Sequence, residues 1–291
     1  MPFFASSTAT EKVKEGRASI TTRLPIGKLF DSREYIFSTA SNVRGYEWTL
    51  KETEELLDDL LDASQGVFAG DADGGSSEII CEGFSKQDYE LSQIVLIPME
   101  WNQQLYGLGA RYDVYDGQQR LVTMCLIFAA MRERFNDIEG FEETVTELAE
   151  MLNPPKTRKE QVLRIELNKR DDKILSHILK GDMDQVWKIK NQSNFEKLSK
   201  PNQEILKNFE YVQSRAQGLE KDELLTLLDF MIENVYLLVC IPESAAIARN
   251  IVMGQGKGKV RHYRTLSCTS IHMCLDTQNY TYENISGQRS H

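Results

Sequence analysis

The chain has no surplus of positive charge: 34 Lys and Arg stand against 44 Asp and Glu, a net charge of −10. A general nucleic-acid coat needs the reverse balance to release counterions, so DNA is not indicated as a partner, although a local basic pocket remains compatible. No apolar run approaches the ~20 residues needed to span a bilayer, and no membrane role is expected. The opening residues, MPFFASSTATEKVKEGRAS, lack the basic start and long apolar stretch of a secretory leader. Cysteine is sparse and odd in number: Cys81, Cys125, Cys240, Cys268 and Cys274, irregularly spaced. That usage argues for reduced thiols and an intracellular setting, cytoplasmic or nuclear. Histidine is scarcer still, at His177, His262, His272 and His291. Only His177 lies in patterned sequence, as an ordinary helix residue, so nucleophile–histidine catalysis has little to build on. Cys268, His272 and Cys274 offer only three zinc ligands, in an unpatterned tail.

What is present reads as a soluble globular protein. Of its 291 residues, 41% are hydrophobic and 27% charged. That length suits one large domain or two ordinary ones. Residues 1–30 carry few packing signals beyond LPIGKLF and are set apart as an N-terminal extension. In YEWTLKETEELLDDLLDA, Thr49 and Glu52 form a capping box, and Leu50, Leu56, Leu57, Leu60 and Leu61 share one helical face. Residues 64–78, rich in Gly, Asp and Ser, predict an exposed loop. The run Ile94–Ile97 suits a strand buried on both faces. Leu121, Met124, Cys125, Phe128, Met131 and Phe135 repeat at helical spacing, giving a core helix of about four turns. From about residue 140 the chain is mostly helical, with an amphipathic helix ending at Pro154-Pro155, a helix closed by Gly181 and two more broken near Gly218. QVLRIEL (161–167) and VYLLVCI (235–241) are strand candidates. GQGKGK (254–259) has the glycines of a phosphate loop without its spacing or its Ser/Thr, and reads as a turn. Beyond Lys259 no lysine recurs and neither period holds, so 259–291 reads as a disordered tail.

The chemistry concentrates at Asp116-Gly117-Gln118-Gln119-Arg120, between a strand pattern and the core helix. A plain turn accounts for Asp as a cap and Gly for tight geometry, but not for the next three residues. The alternative is an anion site at the helix N-terminus, where free N–H groups and the helix dipole favour phosphate. Arg120 would add a planar fork for phosphate oxygens. Asp116 would hold a metal ion or orient a water, and the amides of Gln118 and Gln119 would bond a base, a sugar or that water. Arg44, in Arg44-Gly45-Tyr46-Glu47-Trp48, is either a surface arginine beside two packed aromatics or a second cationic contact.

These motifs resemble the N-terminal domain of GmrSD-type restriction endonucleases, a branch of the ParB/sulfiredoxin-like superfamily. The family's Asp-Gly-Gln-Gln-Arg signature is intact at 116–120. LVTMCLIFAAM is similar to its Leu-Thr-Thr-Leu helix, with Val122 for the first Thr. YELSQIVL (89–96) resembles its Phe-Leu-Gly-Ser-Ile-Val-Leu strand, with Ser92 where glycine is usual. NVRGYEWTLKETEELLDDLL resembles its Gln-Arg-x-Tyr-x-Trp segment, keeping Arg44, Tyr46 and Trp48 but carrying Val43 for the glutamine. LRIELNKRDDKILSHILKG and AIARNIVMGQGKGK are similar to later, looser parts, so the resemblance covers about 35–258.

The resemblance implies a mixed α/β fold: a small ParB-like mixed sheet with helices at 31–140, followed by a mainly helical region at 141–258. It implies a nucleoside-triphosphate-binding and hydrolysing unit that gates a nuclease. Asp116 and Arg120 would be catalytic, Asp116 holding a divalent ion such as Mg or Mn. Gly117, Gln118, Gln119 and Arg44 would contact the nucleotide. The family's C-terminal His-Asn-His nuclease module and its Leu-x-x-x-Asp-Leu-Lys helix have no counterpart in the sequence. The expectation is therefore a truncated or differently spliced product whose nuclease is supplied by another domain or subunit. A regulatory module that binds nucleotide or DNA without turnover, and an inactive fragment, are the rival expectations.

Overall fold

A computed structural model describes residues 19–31, 35–39, 44–66, 88–99, 110–155, 161–168, 172–192 and 195–254. Of the loop expected at 64–78, Ser64 instead ends a helix and residues 67–78 lie outside the described residues, as do the tail at 259–291, the phosphate-loop-like GQGKGK past Gly254, and Cys81, Cys268, Cys274, His262, His272 and His291.

The described residues form one six-stranded mixed sheet of order β1-β6-β3-β4-β2-β5. Its strands are β1 (Ser19–Pro25), β2 (Tyr35–Ser38), β3 (Tyr89–Pro98), β4 (Ala110–Asp116), β5 (Ile165–Glu166) and β6 (Val235–Pro242). β1 runs antiparallel to β6, β6 parallel to β3, β3 antiparallel to β4, and β4 parallel to β2, which is parallel to β5. The helices are α1 (Ile26–Asp31), α2 (Leu50–Ser64), α3 (Gln118–Asn136), α4 (Glu142–Leu152), α5 (Asp172–Lys180), α6 (Met183–Gln192), α7 (Lys200–Gln217), α8 (Lys221–Glu233) and α9 (Ala245–Gly254). The fold class is therefore mixed α/β, as the sequence predicts. No described helix is long and apolar enough to cross a membrane.

The main core lies between one face of the sheet and the bundle of α1 to α8, while Val95 and Cys240 face α9 on the other side through Ala248. β3 is thus covered on both faces, which explains its unbroken apolar run: Ile94 and Leu96 enter the main core and Val95 packs with α9. β3 is also irregular. Tyr89 and Leu91 face the main core upstream, Ile94 and Leu96 downstream, so the alternation slips by one. Ser92, at φ +82°, sits where the slip occurs, between Glu90 and Gln93 in the pairing with β6. An extra residue in one strand resets which side chains point inward, and such bulges gather beside functional sites.

α3 is more deeply buried than its spacing predicts. Every residue from Leu121 to Arg132 is buried, because α4, α5 and α7 pack around it. A helix enclosed on all sides is apolar all round. The capping box of α2 forms as expected, with Thr49 N–H donating to Glu52 Oε2 at 2.7 Å. Leu50 does not join the buried face; it stands 42% exposed in the first turn. Residues 19–30, inside the stretch set apart as an extension, make β1 and all of α1 but its last residue. The weak alternation of SITTRLP reflects its place at the sheet edge, where most of its residues stay wet. β6 and β5 likewise bring the mainly helical stretch into the same sheet.

Candidate functional site

β4 ends at Asp116 and α3 begins at Gln118, so the signature falls on a strand-to-helix junction. Gly117 makes the turn at φ +94° and ψ 7°. A Cβ at that position would lie 2.4 Å from Ile94 Cγ2, so both backbone conformation and space demand glycine. Leu121 N–H makes the first rung of α3, to Gly117 C=O at 3.1 Å. The N–H groups of Gln118, Gln119 and Arg120 precede that rung and carry the positive end of the helix dipole.

The five signature residues divide their tasks. Asp116 is half-exposed, and its Oδ2 lies 3.6 Å from Arg120 Nη2. Arg120 is nearly buried; the same Nη2 donates to Gln93 C=O at 2.6 Å, while its Nε is buried with no partner. Burial lowers the Arg120 pKa and the Asp116 carboxylate counters that pull. Gln118 is 5% exposed, and its Oε1 is a buried acceptor without a donor. Gln119 behaves differently. Its Oε1 accepts from Glu47 N–H at 2.8 Å and Trp48 N–H at 3.3 Å, and its Nε2 donates to Gly45 C=O at 3.0 Å. Both ends of its amide hold the backbone that follows Arg44. The Arg44 guanidinium itself is 85% exposed and touches Glu47 Oε2 at 3.6 Å.

The aromatics after Arg44 are core residues. Tyr46 is fully buried; its hydroxyl lies 2.8 Å from Thr123 Oγ1 and accepts from Asn208 Nδ2 at 2.8 Å. Burial raises its pKa, so the hydroxyl stays neutral. Trp48 C=O accepts from Asn208 Nδ2, also at 2.8 Å. Sequence reasoning missed Gln93 and Asn208. A signal for Asn208 existed: a polar side chain set among Ile205, Phe209 and Val212 on an amphipathic helix calls for buried partners. Gln93 leaves no such signal, since only its backbone carbonyl meets Arg120.

Other candidates recede. Cys125 and Cys240 are free and buried, and burial pushes the Cys125 thiol up to about 12, far from a reactive thiolate. His177 Nδ1 lies 3.2 Å from Asp182 Oδ2 at the end of α5. Among the described residues no group of three or more His, Cys, Asp or Glu could hold a metal ion.

At the N-terminus of the central helix of this mixed α/β unit the structure thus gathers an acid, a nearly buried arginine and the unpartnered Gln118 Oε1. The chain belongs to the family of the GmrSD restriction endonuclease N-terminal domain, whose model matches residues 26–253. A comparison with curated proteins finds no match.

Proposed function

We propose that the chain binds a nucleoside triphosphate over the first turn of α3 and hydrolyses it with a divalent cation, its ParB-like sheet serving as the platform. The observation that carries this reading is the pair of unpartnered buried groups at the turn, Gln118 Oε1 and Arg120 Nε. A buried polar group without a partner costs about 1–3 kcal/mol, and a ligand would remove that cost. Gln118 Oε1 is an acceptor and suits a base N–H, a ribose hydroxyl or a water. Arg120 Nε and the free N–H groups of the helix start suit phosphate. Asp116 is the carboxylate at the mouth. One carboxylate fits a Mg or Mn ion that arrives with phosphate oxygens and waters, not a cage made by protein alone. Such an ion would neutralise charge on the phosphoryl oxygens, while Asp116 and Arg120 position them.

The Asp116 carboxylate already lies 3.6 Å from the Arg120 guanidinium, which favours a second reading, in which the site binds nucleotide without turnover and regulates a nuclease domain or subunit supplied in trans. Phosphate release from each NTP with Mg or Mn separates the two. Turnover in the native chain, lost in Asp116→Ala and Arg120→Ala with the fold intact by circular dichroism, supports hydrolysis. Turnover no greater than in those variants ends it. A rise in melting temperature on adding Mg–NTP would then keep the binding reading alive, since ligand at about 100 Kd adds about 2.7 kcal/mol to the state it binds.

A further inference from the structure

Asn208 lies in α7, outside the signature, and is fully buried. Its Nδ2 uses both hydrogens, one on Tyr46 OH and one on Trp48 C=O, each at 2.8 Å. A hydroxyl that accepts from Asn208 keeps its own hydrogen for Thr123 Oγ1, 2.8 Å away. Reversing the amide would set Oδ1 against the Trp48 carbonyl, so the chemistry fixes its orientation. Oδ1 is left buried without a partner, and the side chain is held through its donors. From α3, Gln119 grips Gly45 C=O and the N–H groups of Glu47 and Trp48. The backbone from 45 to 48 is thus clasped between two amides on two helices. Arg44 immediately precedes this segment, next to the carbonyl bound by Gln119, and its guanidinium is exposed.

From this clasp we infer that Asn208 is a positioning residue for the nucleotide site: it fixes the 45–48 segment so that Arg44 stands beside the first turn of α3 and meets the bound phosphates. The inference rests on the nucleotide reading above. It makes α7 a lever on nucleotide affinity, because a shift of that helix reaches Arg44 through two hydrogen bonds.

Equilibrium titration of the full chain with Mg–NTP tests it, using native protein, Asn208→Ala, Arg44→Ala and the double variant. Asn208→Ala is expected to weaken binding about tenfold, the size of one lost charge-assisted contact, and to have no further effect once Arg44 is alanine. Equal weakening in both backgrounds, or none in either, overturns the positioning role. If Asn208→Ala does not fold, Gln119→Ala releases the same segment from the α3 side and must show the same non-additivity. Native protein that binds no Mg–NTP overturns the nucleotide reading itself, before any variant is compared.

Discussion

Ser92 holds φ +82° inside β3, at the slip that turns Ile94 toward Gly117 and presents the Gln93 carbonyl to Arg120. A side chain in the left-handed region costs about 1–2 kcal/mol, because its Cβ crowds the backbone. Glycine avoids that strain but loses more freedom on folding, about 0.5–1 kcal/mol. Ser92→Gly is therefore expected to stabilise the chain by about 0.5–1 kcal/mol, seen as a higher urea midpoint at constant slope. A lower midpoint would show that the serine hydroxyl contributes more than the strain costs. At this scale Gly117 was legible from sequence because Asp-Gly marks a turn. The tasks of the glutamines were not, because a glutamine looks the same whether its amide meets a ligand or another stretch of backbone.

Three strands are tied together away from the site. Arg23 of β1 lies over the Tyr236 ring of β6 at 3.4 Å and bonds Glu90 Oε2 of β3 at 3.1 Å and Asp88 Oδ2 at 2.8 Å. Burial pushes the Glu90 carboxyl from its ordinary 4.5 up to about 7; the Arg23 bond pulls it back and the Asp88 charge adds to the rise. The folded chain thus holds this proton to higher pH than the unfolded chain does. The contribution is fully present below the ordinary carboxylate value and is lost as pH climbs toward about 7. The full shift corresponds to at most about 3 kcal/mol. Native protein is expected to lose urea resistance between pH 5 and 7.5 relative to Glu90→Gln, which stays neutral throughout. Parallel curves for the two proteins would rule out a raised Glu90. Elements with strong local patterns were legible here: the capped α2, the strand β6 and the helices around Gly181 and Gly218. The edge strand β1 was not, because pairing with β6 defines it rather than its own pattern.

Across the whole molecule, Arg164 joins parts distant in sequence. It is fully buried, and its guanidinium donates to Met151 C=O at 2.7 Å, to Tyr35 C=O at 2.6 Å and to Phe30 C=O. It thereby fixes the end of α4, the start of β2 and the end of α1 around one group. Leaving a buried acceptor without its donor costs about 1–3 kcal/mol, and loss of this side chain strands three carbonyls. Arg164→Leu is expected to lose stability of that order by urea unfolding, and a loss below about 1 kcal/mol would mean that water satisfies those carbonyls. In QVLRIEL, Val162, Arg164 and Glu166 alternate with Leu163, Ile165 and Leu167, which suggests a strand. Only Ile165–Glu166 pairs with β2, and Arg164 turns inward because three carbonyls receive it.

The sequence by itself determined the mixed α/β class, the core helix and the placement of Asp-Gly-Gln-Gln-Arg between strand and helix. The core helix and the motif's placement rest on periodicity and turn chemistry within a few residues of chain, and the class on the family resemblance that the motifs carry. The tertiary structure alone decided what those side chains touch. Arg120 meets a carbonyl 27 residues upstream, Gln119 meets backbone 71 to 74 residues away, and Asn208 reaches Tyr46 across 162. Those partners are chosen by packing, which brings a bulged strand and α7 to one helix start. Local pattern holds no record of that meeting.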